Sequence, residues 1–200
     1  MDIQPTPSPT RPAPTALTAA LKEWRVAVQA LAQGETILLL RKGGIRESGG
    51  RFAVPQRQVW LYPTDEHQKP HLLKPPYAER VQPVESGWHP EAIPLVAWAE
   101  ITHVLPVQEA DVVRSLLPFH IWNEAFVTER LQWKPKSPLW LLLLRVYRLS
   151  QTQVIPFIAS YGGCKSWIEL EPSIAIAGSV AVFTDAEYGD RVREIQARLT

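Results

Sequence analysis

The run Leu139-Trp140-Leu141-Leu142-Leu143-Leu144, closed by Arg145, restricts the fold more than any other feature of the chain. It is far shorter than the roughly 20 apolar residues of a membrane helix, so it must be buried in protein. Successive side chains of a strand point to opposite faces, and an unbroken apolar run therefore needs cover on both. Trp140 to Leu149 is predicted as a central strand, with Val154 to Ile158 pairing back onto it across the polar turn Ser150 to Gln153. At 46% hydrophobic residues, a chain of 200 can supply the core of one domain, but hardly of two.

Other elements follow from spacing. Leu17, Leu21, Trp24, Val28 and Leu31 recur at steps of four and three, which predicts a helix from Thr15 to Gln33 stopped by Gly34. Ile37 to Leu40 and Val59 to Tyr62 read as strands, as does Leu95 to Val104. A short helix is expected from Glu109 to Leu117, a second capped by Asn123, and a third, capped by Asp185, that presents Val192, Ile195 and Leu199 on one face. Prolines limit Pro63 to Pro76 to isolated turns. The expected fold is a single α+β domain over 15–200, with a mixed, mainly antiparallel sheet and a helix at each end. Met1 to Pro14 contains five prolines and no apolar stretch, so it reads as a disordered Pro-rich tail rather than a signal peptide.

Charge and cysteine content narrow the function classes. The 21 Lys and Arg balance 20 Asp and Glu, and the net charge of +1 argues against a broad duplex-binding face. Cys164 is the only cysteine, which excludes an internal disulfide or a multi-thiolate zinc site and suits a reducing cytoplasm. His67 and His71 are separated by a helix-breaking Pro70, while His89, His103 and His120 are dispersed, so no metal is expected. The glycine stretch Gly44 to Arg51 lacks the Gly-Lys-Ser/Thr close of a P-loop. No dinucleotide fingerprint or nucleophile elbow is present either, and the sequence implies no cofactor. The group Asp65, Glu66 and Lys69 misses the spacing and strand context of a restriction-type nuclease.

Three polar blocks remain. The first holds Arg41, Lys42, Gly43, Gly44, Arg46 and Glu47; from Arg41 to Arg57, five basic residues face Glu47 alone, a local charge of +4 suited to phosphate. The second, Thr64, Glu66, His67 and Gln68, places a carboxylate, an imidazole and an amide side by side, an acid/base pair with a donor. The third, Gly162 to Trp167, sets Cys164 beside Lys165, which favours the thiolate. Glu66, His67 and Glu47 are the candidate catalytic groups. Arg41, Lys42, Gly43, Gly44, Arg46, Gln68 and Lys165 are the candidate ligand-binding groups, with His120 and Cys164 as further candidates. Ordinary loop and turn chemistry, and a buried thiol, are the competing explanations. Eight tryptophans, among them Trp122, Trp133 and Trp167 near polar text, offer either core packing or stacking for bases.

The segments ILLLRKGGIRESGGRF, YPTDEHQ, LLLLRVYRL and YGGCKSW together resemble the bacterial family known as domain of unknown function 1802, over about Leu17 to Leu170. The resemblance implies no established activity. Some members resemble fusions to a restriction-endonuclease domain, which implies a link to restriction-modification through a separate DNA-processing partner here. The leading expectation is a cytoplasmic nucleic-acid- or nucleotide-binding module without a membrane segment. Its rivals are a small enzyme on an anionic substrate, with Glu66 and His67 as acid and base, and a ligand-free interaction scaffold. A further expectation is geometric: strand ends should bring the three blocks to one rim.

Overall fold

The computed structural model describes residues 15–42 and 54–199. The expected tail and the loop positions Gly43, Gly44, Arg46 and Glu47 lie outside them.

The N-terminal segment divides where one helix was expected. Strand β1 (Ala16–Trp24) precedes helix α1 (Arg25–Ala32). The helical spacing in its first half is a coincidence of a β-bulge: the register shifts between Leu17 and Ala19. Leu17 therefore faces one core cluster and Leu21 the other, although an even spacing would put both on one side. Pairing on both edges of β1 supplies its backbone hydrogen bonds, and that non-local gain outweighs local helix preference. Gly34 ends α1 as expected. At φ 74° it lets Glu35 N–H reach the Ala30 carbonyl and its own N–H reach Leu31, closing the last turn.

The remaining strands are β2 (Leu38–Arg41), β3 (Gln58–Thr64), β4 (Ala92–Val107), β5 (Leu139–Pro156), β6 (Trp167–Ala175) and β7 (Val180–Ala181). The sheet runs β2-β5-β4-β3-β1-β6, with β7 also on β5. Among the described residues only β1 and β3 pair in parallel and the other strand pairs are antiparallel, so the mixed, mainly antiparallel α+β expectation holds. In β3, Val59 and Leu61 enter one cluster while Trp60 and Tyr62 enter the other, the period of two of a doubly covered strand.

Strand β5 is interior as predicted, but it does not fold back as a hairpin. Arg148 opposes Ala97 and Gln153 opposes Leu95, so residues 149–152 form a bulge within one long strand on β4. Pairing with β4 continues on both sides of the bulge, which leaves no reason for β5 to turn.

Helices α2 (Pro75–Ala78), α3 (Ala110–Ser115), α4 (Glu124–Gln132) and α5 (Asp185–Gln196) complete the fold. Apolar residues of α1, α3, α4 and α5 share one cluster with the Leu141 to Leu144 run. Asn123 caps α4, its side chain accepting from Phe126 N–H at 3.2 Å. The cap of α5 is Thr184 rather than Asp185: the Thr184 hydroxyl accepts from Glu187 N–H, while the Glu187 carboxylate accepts from Thr184 N–H. Asp185 instead reaches Arg145. Among the described residues, no helix is long and apolar enough to cross a membrane.

Candidate functional site

Parallel pairing puts the C-terminal ends of β1 and β3 at the same rim, where Trp24 lies opposite Thr64. Antiparallel β6 begins at that rim too, with Trp167 opposite Leu21. The second and third polar blocks are thus neighbours for topological reasons. Thr64 donates to the Glu23 carbonyl at 3.1 Å, and Lys22 N–H donates to the Ser166 carbonyl at 2.9 Å.

Arg41 and Lys42, the described residues of the first block, arrive from farther away. In the strand order β2 lies four places from β1, about 19 Å in a flat sheet at ~4.8 Å per step. Yet Arg41, at the end of β2, donates to the Glu23 carboxylate at 2.6 Å, so the sheet curls enough to bring β2 and β1 within side-chain reach. Glu23 is only 9% exposed and also accepts from Trp24 N–H at 3.0 Å. Lys42 beside it is buried, and burial lowers its ammonium pKa.

Lys22 ties the third block down. Its ammonium donates to the carbonyls of Tyr161 (2.6 Å) and Gly163 (2.9 Å). Burial lowers its pKa, against the opposing pull of Cys164 and Glu66. Glu66 accepts from Gly87 N–H at 2.7 Å and lies 3.4 Å from the ring of His67. His67 itself has φ 65°, the left-handed region that non-glycine residues rarely occupy.

These groups surround a depression of about 290 Å³. Arg41, Lys42, Glu66, His67, Cys164 and Lys165, each singled out by sequence, are among its walls. One side is aromatic: Trp122 stacks on Phe126 at 4.9 Å, and Trp24 meets Phe126 edge to face at 6.4 Å. The Arg130 guanidinium lies over Phe126 (4.9 Å) and toward Trp133 (5.9 Å), whose ring Lys134 also covers. Trp133 is 44% exposed.

Lys22, Glu23, Trp24 and Arg130 escaped the sequence reading. The first three were hidden in a segment whose spacing imitates a helix, and Arg130 lies on the helix that Asn123 caps, outside the three polar blocks. The usable signal was Lys22-Glu23-Trp24 itself, a charged pair beside an aromatic just ahead of α1.

Two candidates lie elsewhere. Gln68 is in neither wall set of the cavities at this rim; its carbonyl accepts from Val26 N–H at 3.1 Å and so satisfies an otherwise unpaired donor in the first turn of α1. Arg25 joins the same corner by pairing with Asp65 at 2.6 Å. His120 is buried at 3% exposure against Trp122, and both its ring nitrogens lack a partner among the described residues. Burial, with the nearby Lys74 ammonium, depresses its pKa to about 3. Among the described residues no three His, Cys, Asp or Glu side chains are placed to hold a metal ion.

The family model described as "Domain of unknown function (DUF1802)" matches residues 20–194. No curated protein matches the chain. Among solved structures, ASCH from Zymomonas mobilis is similar at 13% identity and a TM-score of 0.45, covering 88% of this chain and 93% of that one. A single-site mutant of the same ASCH protein is similar at 14% identity and a TM-score of 0.44, covering 80% and 92%.

Proposed function

Because this chain belongs to the domain of unknown function 1802 family, whose description carries no chemistry, we propose its role from the depression itself: it binds the phosphate of a nucleotide or of a single-stranded nucleic-acid end. One observation carries this reading, the meeting of cations and accessible aromatic surface in one concavity. Among the described residues, five Lys or Arg side chains line it against two Glu, and Arg41 is already matched by Glu23. Lys42, Arg130 and Lys165 supply the remaining positive field, and Trp133 offers a face for stacking. A small site of this kind also suits a chain whose net charge is only +1. The same reading makes the protein a cytoplasmic accessory to restriction-modification or related DNA processing, acting beside a separate catalytic chain; the fusions implied by the family resemblance support it.

Titration of the full chain with mononucleotides, 5′-phosphorylated single strands and duplexes tests the proposal. Binding of the first two, weakened by Lys165→Ala, is expected. Unchanged affinity in that variant, or a preference for duplex, overturns it.

A second reading has its own support. The 3.4 Å contact between Glu66 and His67, together with the left-handed backbone of His67, is the type of local strain that accompanies catalytic groups. It requires turnover of a phosphate-bearing substrate that disappears in Glu66→Gln while binding persists.

A further inference from the structure

A second cavity, of about 250 Å³, opens on the other side of Glu66 and His67. Lys22, Thr64, Glu66, His67, Gly163 and Cys164 belong to the walls of both, so the two cavities share one ridge. Their chemistry differs. Among the described residues the second contains Lys22 as its only Lys or Arg, and that ammonium is occupied by the Tyr161 and Gly163 carbonyls. Aromatic groups dominate instead: Tyr62 and Tyr161 meet edge to face at 5.9 Å, while His89 stacks on Phe157 at 3.5 Å and 15°. Trp88 stands at this cavity with 45% of its surface exposed. Its loop is held to the ridge by Gly87 N–H donating to Glu66. Of the large apolar side chains left exposed among the described residues, both tryptophans, Trp88 and Trp133, therefore stand at these two cavities.

We propose that the aromatic cavity seats the nucleobase of the same nucleotide whose phosphate occupies the cationic depression, with the sugar crossing the ridge at Glu66, His67 and Cys164. The proposal rests on the phosphate-binding reading above. Size supports a shared ligand: each cavity alone falls just below the roughly 300 Å³ at which small-molecule sites begin, whereas the two together lie well within their range. Chemistry supports it as well, since a cationic pocket joined to a flat, apolar, aromatic one fits a ligand with an anionic end and a planar ring. Stacking tolerates any base, because every base has a π-face. The recognised unit is thus a nucleoside 5′-phosphate, whether free or at the end of a strand.

The test uses the full chain, calorimetric titration, and three probes: adenosine 5′-monophosphate, ribose 5-phosphate and a 5′-phosphorylated single strand. Trp88→Ala, at an exposed position, is expected to weaken the monophosphate about tenfold or more, the loss of one stacked base, while leaving ribose 5-phosphate unchanged. Lys165→Ala is expected to weaken both. If Lys165→Ala acts and Trp88→Ala does not, the base lies elsewhere and the phosphate reading survives. If Lys165→Ala has no effect, that reading falls too. Binding of the strand but not the monophosphate, with the same variant pattern, assigns the site to a strand end. On the unaltered protein, saturating monophosphate is expected to slow alkylation of Cys164 severalfold, and unchanged alkylation overturns the bridging pose.

Discussion

Arg41 donates to the Glu23 carboxylate at 2.6 Å, joining the strand at one edge of the sheet to the strand next to the other edge. This contact spans the curl of the sheet and holds Arg41, from the described start of the first polar block, beside the other two blocks. Glu23 is 9% exposed and Arg41 15%, so each depends on the other for compensation of its charge.

Arg41→Ala is therefore expected to cost about 3 kcal/mol of stability by stranding the Glu23 carboxylate. Replacing both residues with Leu recovers most of it. Urea unfolding of both single variants and the double variant measures the coupling; strictly additive losses would show that the pair does not hold the curl.

His120 predicts a pH dependence. Its folded-state pKa of about 3 lies below the usual 6.5, because burial and Lys74 oppose protonation. Between these values the unfolded chain binds the extra proton, so stability is fully present above pH 6.5 and falls as pH drops toward 3. The loss is on the order of 4 kcal/mol across that window. His120→Leu should show a shallower slope of stability against pH; parallel curves contradict this account.

Gly34 has no room for a side chain. A Cβ there would lie 2.8 Å from the Phe183 ring, at a φ of 74°. Gly34→Ala is expected to lose about 2 kcal/mol, combining left-handed strain with overpacking. A thermal midpoint equal to that of the parent would remove the close approach of this turn to Phe183.

The cap of α5 separates two neighbouring residues. Thr184→Ala should cost about 1 kcal/mol by opening the reciprocal cap with Glu187, whereas Asp185→Ala, at a position 91% exposed, should change stability little. Equal losses for the two in denaturant titrations would mean that Asp185 shares the capping role.

Trp133→Ala should leave stability unchanged within about 0.5 kcal/mol, since the side chain is 44% exposed, yet weaken single-strand binding roughly fivefold or more. Paired unfolding and titration measurements check this. Intact binding would leave the ring as surface packing for Arg130 and Lys134.

Local chemistry determined much of this protein before any tertiary contact was known. Alternation marked Val59 to Tyr62 as a strand, an unbroken apolar run marked Leu141 to Leu144 as doubly covered, Asn123 marked a helix start and Gly34 a helix stop. These are nearest-neighbour properties, written in side-chain period and backbone freedom. The residue types of Arg41, Lys42, Glu66, His67, Cys164 and Lys165 were legible in the same way, as polar blocks at element ends.

Only the tertiary structure decided the rest. A bulge in β1 made strand residues imitate a helix, and the partner strands on its two edges settled the matter. Continuous pairing with β4 turned an expected hairpin into one strand, and the curl brought Glu23 to Arg41 from 18 residues away. Each outcome depends on which distant backbone completes a segment's hydrogen bonds, and no local pattern encodes that choice. Gln68 shows the limit at the scale of one residue: its amide type announced a donor and acceptor, but only the arrival of α1 gave its oxygen the Val26 N–H to satisfy.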